Sequence, residues 1–138
     1  MSIYLDTSVL VAALSEEPHS EAAQALLEQD QRWILSDWAA AEFSASIRIK
    51  ARRGELAEPL VPILDQAIDE IAARFGGMTT LRFSDHQTAR ELIVLDGRLR
   101  APDALHLVVA RRLQAAMCTF DQNLARAAEE AGLQVFSR

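Results

Sequence analysis

The sequence predicts an α/β protein, with a mainly parallel sheet of about five short strands in a three-layer α/β/α sandwich. Short β-type runs alternate with longer runs of helical period along the chain. Two of the β-type runs, residues 3–5 and 116–120, are followed directly by an acid, Asp6 and Asp121. The chain has 138 residues, and 50% are hydrophobic, which suffices for the core of a single domain over residues 1–138.

The N-terminal half is predicted to contain two strands and four helices. Polar N-cap residues precede apolar stretches that repeat at helical spacing. Proline in a first turn and glycine after a last turn mark several of the helix ends. The predicted strands cover residues 3–5 and 33–35, and the predicted helices cover residues 9–14, 18–29, 37–53 and 58–75.

The C-terminal half continues the alternation with three strands and three helices. Residues 79–83 alternate as in a strand, and Ser84 or Asp85 is the expected N-cap of the next helix. Pro102 marks the start of the following helix, and Gly132 marks the end of the last one. The predicted strands cover residues 79–83, 116–120 and 133–136, and the predicted helices cover residues 85–95, 102–113 and 124–131.

Cysteine usage and hydropathy indicate a cytoplasmic protein. Cys118 is the only cysteine and lies in an apolar run, so a disulfide within the chain is impossible and a buried, inert thiol is expected. The apolar run at residues 9–14 is too short to span a bilayer and lacks the basic flank of a signal peptide. We therefore expect a reducing compartment and no association with a membrane.

The charge distribution leaves two interpretations open. A net charge of -6 argues against a general nucleic-acid binder, because such proteins usually carry a basic surface. Basic side chains are nevertheless clustered, and the clusters fit either solvated helix faces or a track for phosphates. They consist of Arg48, Lys50, Arg52 and Arg53, and of Arg98, Arg100, Arg111 and Arg112.

Four acids stand where an alternating α/β fold could bring them together: Asp6, Glu42, Asp103 and Asp121. Taken singly, the three aspartates are explained by helix capping, which is worth roughly 0.5–2 kcal/mol. Glu42 lies within an alanine-rich helical stretch that has little other charge. Because the carboxyl ends of parallel strands meet at one edge of a sheet, convergence of all four acids is the better explanation.

Four converging carboxylates predict a site for Mg²⁺ or Mn²⁺. At ~5 Å and an effective dielectric near ~20, each ionised pair repels by about 3 kcal/mol, so the cluster requires bound cations or raised pKa values. Oxygen ligands suit these ions, which support phosphodiester hydrolysis. His106 follows Asp103 by three residues and so shares its helix face; it could support the acids from behind, but an ordinary, satisfied core or surface histidine is the favoured interpretation. The polar neighbours that are candidates for binding substrate or orienting the acids are Thr7, Ser8, Thr119 and Asn123.

The segments YLDTSVLV, LRAPDALHL and TFDQNLARAA, with Glu42 on an early helix, make the chain resemble a PIN domain, specifically a VapC-type toxin ribonuclease. The resemblance runs over residues 3–136 and implies a five-stranded parallel sheet between helices. It implies cleavage of RNA, commonly tRNA or rRNA, by a homodimer that a small VapB-type antitoxin neutralises with a basic side chain. It also implies an acidic quartet for Mg²⁺ or Mn²⁺, formed by Asp6, Glu42, Asp103 and Asp121.

The residues themselves also predict both kinds of assembly. The predicted helix of residues 59–75 carries more apolar surface than one side of a small sheet requires, which favours a homodimer. An acidic cluster in a cleft is a natural receptor for arginine, whose planar guanidinium pairs with carboxylates through two hydrogen bonds. A small partner that carries basic residues is therefore expected.

Other protein classes fit the sequence less well. A phosphatase of the haloacid-dehalogenase type needs a second acid two residues after the first, where this chain has Ser8. A response-regulator receiver needs a lysine late in the sheet, and the only lysine is Lys50. Two alternatives remain: a non-catalytic RNA- or protein-binding module on a PIN scaffold, and another metal-dependent phosphatase. The four intact acids argue against the first of these.

Overall fold

The computed structural model describes residues 1–136 and confirms the predicted α/β class. No helix in this part of the chain is long and apolar enough to cross a membrane. A short 3-10 helix, Glu58–Leu60, leads into the fourth α-helix. The strands and α-helices are β1 (Ser2–Leu5), α1 (Thr7–Leu14), α2 (Ser20–Leu27), β2 (Arg32–Ile34), α3 (Asp37–Arg52), α4 (Val61–Arg74), α5 (Phe83–Leu95), α6 (Ala101–Arg112), β3 (Ala116–Cys118), α7 (Gln122–Glu130) and β4 (Val135–Phe136).

The sheet has the strand order β2-β1-β3-β4, and all of its pairings are parallel. In the central pairing of β1 with β3, Leu5 lies opposite Cys118. The residues that follow, Asp6 and Thr119, therefore leave the sheet side by side at the same edge. This register is what brings distant parts of the chain to one site.

Helices cover both faces of the sheet, which confirms the predicted three-layer sandwich. Successive side chains of a strand point to opposite faces. Ile3 and Leu5 of β1 belong to a buried cluster with residues of α1, α2, α3 and α4. Tyr4 of the same strand and Met117 of β3 belong to a second cluster with residues of α6 and α7. The two central strands, β1 and β3, are thus buried on both sides, as parallel strands usually are.

Residues 79–83, predicted as a fifth strand, form only an isolated bridge in the described structure. Thr79 makes this parallel bridge with Ser36. The backbone N–H of Leu81 then donates to Asp37 Oδ1 at 3.1 Å instead of to a neighbouring strand. The sheet therefore has four strands among residues 1–136, one fewer than the prediction of about five.

The start of α5 also differs from the prediction. Arg82, and not Ser84 or Asp85, occupies the N-cap position. Asp85 lies in the first turn, where Oδ2 accepts the backbone N–H of Arg82 at 2.7 Å. The same carboxylate pairs with Arg112 of α6, through Nε at 2.8 Å and Nη2 at 2.9 Å. Asp85 thus makes all of these contacts from the first turn of α5 and not from the N-cap position.

Cys118 is buried in β3, as predicted. Burial, together with the Asp6 carboxylate, raises the pKa of its thiol to about 12. The thiol therefore stays protonated at neutral pH. Because the thiolate is the reactive form of cysteine, Cys118 has a packing role.

Candidate active site

A cleft of about 460 Å³ opens at the carboxyl ends of β1 and β3. All four predicted acids line it, together with Thr7, Ser8 and His106. Acidic side chains outnumber basic ones around the cleft. The acids are Asp6, Glu17, Glu42, Glu55, Asp103 and Asp121, and the bases are Lys50, Arg53 and Arg100.

Asp6 is fixed at the end of β1. Its backbone N–H donates to the carbonyl of Cys118 at 3.0 Å, which extends the β1–β3 pairing by one bond. Its Oδ2 accepts two hydroxyl hydrogen bonds, from Ser8 and from Thr119, both at 2.7 Å. Ser8 and Thr119 thus hold the nearly buried Asp6 carboxylate in one orientation.

Glu42 reaches the cleft from α3. Thr7, at the start of α1, donates its hydroxyl to Glu42 Oε1 at 2.9 Å. The side chain of Glu42 is 25% exposed, whereas that of Asp6 is 7% exposed, so Glu42 is the more open of the two acids. Buried alanines of α3, Ala39 and Ala40, pack in the same cluster as α1. The packing of α3 against α1 in this cluster places Glu42 beside Thr7.

His106 lies between these two acids, so it is the supporting residue that its spacing from Asp103 allowed, and it is also buried and fully hydrogen-bonded. Its Nε2 is hydrogen-bonded to Glu42 Oε1 and lies 3.3 Å from Asp6 Oδ1. The ring is 1% exposed. The sequence signal was its spacing of three residues from Asp103 on α6, which puts both side chains on one face of the helix.

The other nitrogen of His106 is held by a buried chain of hydroxyl groups. Nδ1 lies 2.6 Å from the Tyr4 hydroxyl, which lies 2.7 Å from Ser36 Oγ. Ser36 Oγ also accepts the backbone N–H of Ala39 at 3.0 Å. Burial raises the pKa of the Tyr4 hydroxyl far above its ordinary value, so this group keeps its proton and can donate. Every bond is satisfied when Tyr4 donates to Nδ1 and Nε2–H donates to Glu42.

Tyr4→Phe is expected to lower the free energy of unfolding by ~1–3 kcal/mol, because it leaves His106 Nδ1 and Ser36 Oγ in the core without their partner. Urea unfolding of the variant and the wild type measures the loss. Equal unfolding midpoints would show that the chain of hydrogen bonds contributes nothing to stability.

Asp103 and Asp121 reach the cleft from the first turn of α6 and the N-cap of α7. Burial, followed by the charges of Asp121 and Asp6, raises the pKa of Asp103. Asp121 Oδ1 accepts the backbone N–H groups of Asn123 at 2.9 Å and Leu124 at 3.1 Å, so this acid caps α7 while it lines the cleft. Asn123 is exposed and lies outside the lining of the cleft.

The donor set fits a hard divalent cation. One ligand atom from each of Asp6, Glu42 and His106 can be chosen so that all lie within 4.8 Å of one another. Carboxylate oxygens are the ligands that Mg²⁺ and Mn²⁺ prefer, whereas His106 Nε2, which carries the proton donated to Glu42, orients that acid and is not counted as a ligand. Burial is the main cause of the raised pKa of Asp103, and the neighbouring charges of Asp121 and Asp6 add to it, so a bound cation would favour the ionised form of this acid.

Several solved structures share this fold. FitAcB from Neisseria gonorrhoeae is 21% identical with a TM-score of 0.72, over 98% of this chain and 96% of that chain. VapC20 of Mycobacterium tuberculosis, a sarcin-ricin loop cleaving toxin, is 17% identical with a TM-score of 0.68, over 91% and 94%. VapBC2 from Rickettsia felis, bound to a promoter DNA fragment, is 15% identical with a TM-score of 0.65, over 99% and 98%.

Sequence comparison identifies the family independently of these structures. None of the curated proteins matches the chain significantly. The family model for the PIN domain, however, matches residues 3–130, which is most of the chain. The matched range includes every acid of the cleft, and the chain therefore belongs to the PIN domain family.

Proposed function

We propose that this protein is an endoribonuclease that depends on Mg²⁺ or Mn²⁺ and acts as the toxin of a toxin–antitoxin pair. The observation that carries this proposal is the meeting of Asp6, Glu42, Asp103 and Asp121 in one cleft. Membership of the PIN domain family and the similarity to a sarcin-ricin loop cleaving toxin support it. Ribosomal or transfer RNA is the proposed substrate.

The side chains of the cleft have separate tasks in this proposal. The four acids hold the cation, which supplies Lewis acidity toward a phosphodiester when it is bound. Thr7, Ser8 and Thr119 orient the carboxylates through their hydroxyl groups. His106 holds Glu42 against Asp6 and is itself held by Tyr4. Hydrolysis by this arrangement does not require a nucleophilic side chain.

Basic side chains at the cleft supply contacts for RNA phosphates. Arg53 and Arg100 line the cleft and are exposed. Lys50 also lines it but donates to Glu17 Oε1 at 2.9 Å and is largely buried, so its charge is already paired. We therefore assign phosphate binding to the two arginines, since a guanidinium pairs well with phosphate oxygens.

Incubation of purified protein with total RNA tests the proposal. Cleavage is expected in Mn²⁺ and is expected to stop in excess EDTA or on Asp6→Asn. Asp30→Asn, which changes an exposed acid outside the cleft, is the matched control and should cleave normally. Undiminished cleavage in EDTA would contradict the metal mechanism. Metal-independent binding of RNA without cleavage would instead favour the non-catalytic binding module.

A small antitoxin that places an arginine in the acidic cleft is the proposed inhibitor. Similar structures were solved as FitAB and VapBC assemblies, which supports a two-component system. An arginine in the cleft would meet the nearly buried Asp6 and the Asp103 carboxylate, where a guanidinium can bind with two hydrogen bonds.

The double variant Asp6→Asn, Asp103→Asn is expected to bind the peptide encoded beside this gene much more weakly than the wild type does. Isothermal titration measures both affinities, and Asp30→Asn again serves as the control. Equal binding by the double variant would refute insertion into the cleft, and so would a neighbouring reading frame that encodes no such peptide.

A homodimer is the proposed assembly state, through the surface at the start of α4. Leu60 and Ile63 are 42% and 59% exposed there, and Ile49 of α3 is 38% exposed.

Light scattering at tens of micromolar is expected to give a dimer. Ile63→Glu should convert this dimer to a monomer, because the substitution buries a charge in an apolar interface. Leu95→Glu is the control, since Leu95 is exposed on α5. A wild-type monomer would contradict the proposal, and loss of the dimer in the Leu95 variant alone would move the interface to α5.

A further inference from the structure

A second cleft, of about 560 Å³, lies beside the acidic cleft. Its lining includes His19, Phe120, Gln122 and Arg126, and Asp121 lines both clefts. We infer that this second cleft binds an unpaired nucleobase of the RNA strand whose phosphodiester lies in the acidic cleft. The choice of RNA as the ligand rests on the proposed function. The acids by themselves indicate a site for a cation and a phosphodiester, and they do not indicate a site for a base.

An aromatic stack forms one wall of this cleft. The rings of His19 and Phe120 are stacked, with centroids 4.6 Å apart and an interplanar angle of 9°. Phe120 packs against the main core cluster, and its backbone N–H donates to Ser8 Oγ at 3.0 Å. His19 is exposed and lines the cleft. The stack is therefore anchored at one end and open at the other, as a platform for another flat ring requires.

The platform is continuous with the acidic cluster along the backbone. Thr119 donates its hydroxyl to Asp6 at 2.7 Å and accepts the backbone N–H of Asp121 at 2.9 Å. Phe120 lies between Thr119 and Asp121 in the chain. The groups that orient the buried acid thus also orient the ring, so a strand in the acidic cleft has its neighbouring nucleotide at the stack.

Polar groups on α7 complete the site. The exposed amide of Gln122 can both donate to and accept from the edge of a base. Arg126, one turn further along α7, uses Nη1 to bind Glu130 at 3.1 Å and keeps other N–H groups for a phosphate. Stacking on aromatic side chains tolerates any base, because every base has a π-face. A preference among bases would then come from Gln122.

Binding of short RNA in EDTA tests the inference without cleavage. Fluorescence anisotropy compares a labelled oligoadenylate with an abasic strand of the same length, which keeps the phosphates and lacks the bases. The wild type is expected to prefer oligoadenylate. His19→Ala and Phe120→Leu are each expected to weaken oligoadenylate binding by roughly 5- to 100-fold and to leave abasic binding unchanged.

Two exposed residues on α5 provide matched controls. Phe83→Leu and His86→Ala make the same chemical changes at exposed positions that line neither cleft, and they should bind like the wild type. Phe120→Trp keeps the platform and adds a fluorophore, whose emission should be quenched by oligoadenylate and not by the abasic strand. This variant gives a result even if Phe120→Leu unfolds.

Equal affinity of the wild type for the two strands would overturn the inference, and so would unchanged binding by both His19→Ala and Phe120→Leu. Neither result touches the proposed function, which is decided separately by Mn²⁺-dependent cleavage of total RNA. Base-dependent binding at the stack without any cleavage would uphold the inference and reject the nuclease.

Discussion

Replacing Asp103 by asparagine is expected to abolish RNA cleavage while the metal-free protein stays at least as stable as the wild type. The pKa of Asp103 is raised by burial and then by the charges of Asp121 and Asp6. Removing one charge from such a cluster relieves electrostatic repulsion of up to about 3 kcal/mol per ionised pair at ~5 Å and an effective dielectric near ~20. This is an upper value, because water and protonation already reduce part of the repulsion.

The pH dependence has a definite sign. A carboxyl whose folded-state pKa is above its unfolded-state value binds its proton more tightly in the folded protein. Its favourable contribution is complete below the unfolded-state pKa and is lost as the pH rises through the folded-state pKa. For Asp103, the stability gained on substitution should therefore be absent in acid and grow toward neutral pH. Urea unfolding in EDTA over this pH range measures it.

Binding of Mn²⁺ separates a ligand from a helix cap. A ligand that binds only the folded state stabilises it by mass action, so Mn²⁺ should raise the melting temperature of the wild type far more than that of Asp103→Asn. Glu21→Gln, which changes an exposed acid in the first turn of α2, is the control and should keep the full response to metal. If Asp103→Asn melts lower in EDTA and gains equally from Mn²⁺, Asp103 is a helix-dipole residue and the quartet is withdrawn.

The meeting of the acids could be predicted because strand direction fixes it. In a parallel sheet, residues that end neighbouring strands share one edge, and the pairing of Leu5 with Cys118 places Asp6 and the turn to Asp121 there. Glu42 was recognisable as an isolated charge in an apolar stretch. These inferences need only the alternation of strands and helices, which implies a parallel sheet, and the helical period, and both can be read from local sequence patterns.

The buried hydrogen bonds that hold His106 behind the acids could not be predicted, because they join residues that are distant in the sequence. Tyr4 and His106 are 102 positions apart, and their hydrogen bond exists only through the exact packing of α6 on the sheet. From the sequence, Tyr4 is simply part of the predicted strand of residues 3–5. Side-chain alternation puts it on the opposite face from Ile3 and Leu5, and on that face it meets His106 and Ser36.

The predicted fifth strand does not form, and the sequence left the role of the basic clusters open, for a related reason. Carboxylates compete with strands for backbone N–H groups, and Asp37 takes the one from Leu81. The basic clusters proved to be mixed: Arg48 pairs with Asp65, whereas Arg100 lines the acidic cleft. Net charge and spacing do not reveal which basic side chains are already paired.

Arg112→Met is expected to lower the free energy of unfolding by about 3–5 kcal/mol, the usual cost of breaking a buried ion pair from one side. Asp85 is 1% exposed and receives both guanidinium hydrogen bonds, at 2.8 Å and 2.9 Å. The substitution leaves this carboxylate in the core with only the Arg82 N–H, and it removes the ion pair that links α5 to α6. Arg48→Met breaks a far more exposed pair and should cost much less.

The loss should shrink in acid, and this identifies the buried charge as its cause. Burial alone would raise the pKa of Asp85, but the hydrogen bonds from Arg112 and the Arg82 N–H hold it below its ordinary value. Such a group contributes stability above its unfolded-state pKa and loses it as the pH falls through the folded-state pKa.

Asp85→Leu combined with Arg112→Met should recover most of the stability, because it leaves no unpaired charge. Urea unfolding of the single and double variants measures both effects. If the double variant is as unstable as Arg112→Met, the cause of the instability is lost packing and not the unpaired carboxylate.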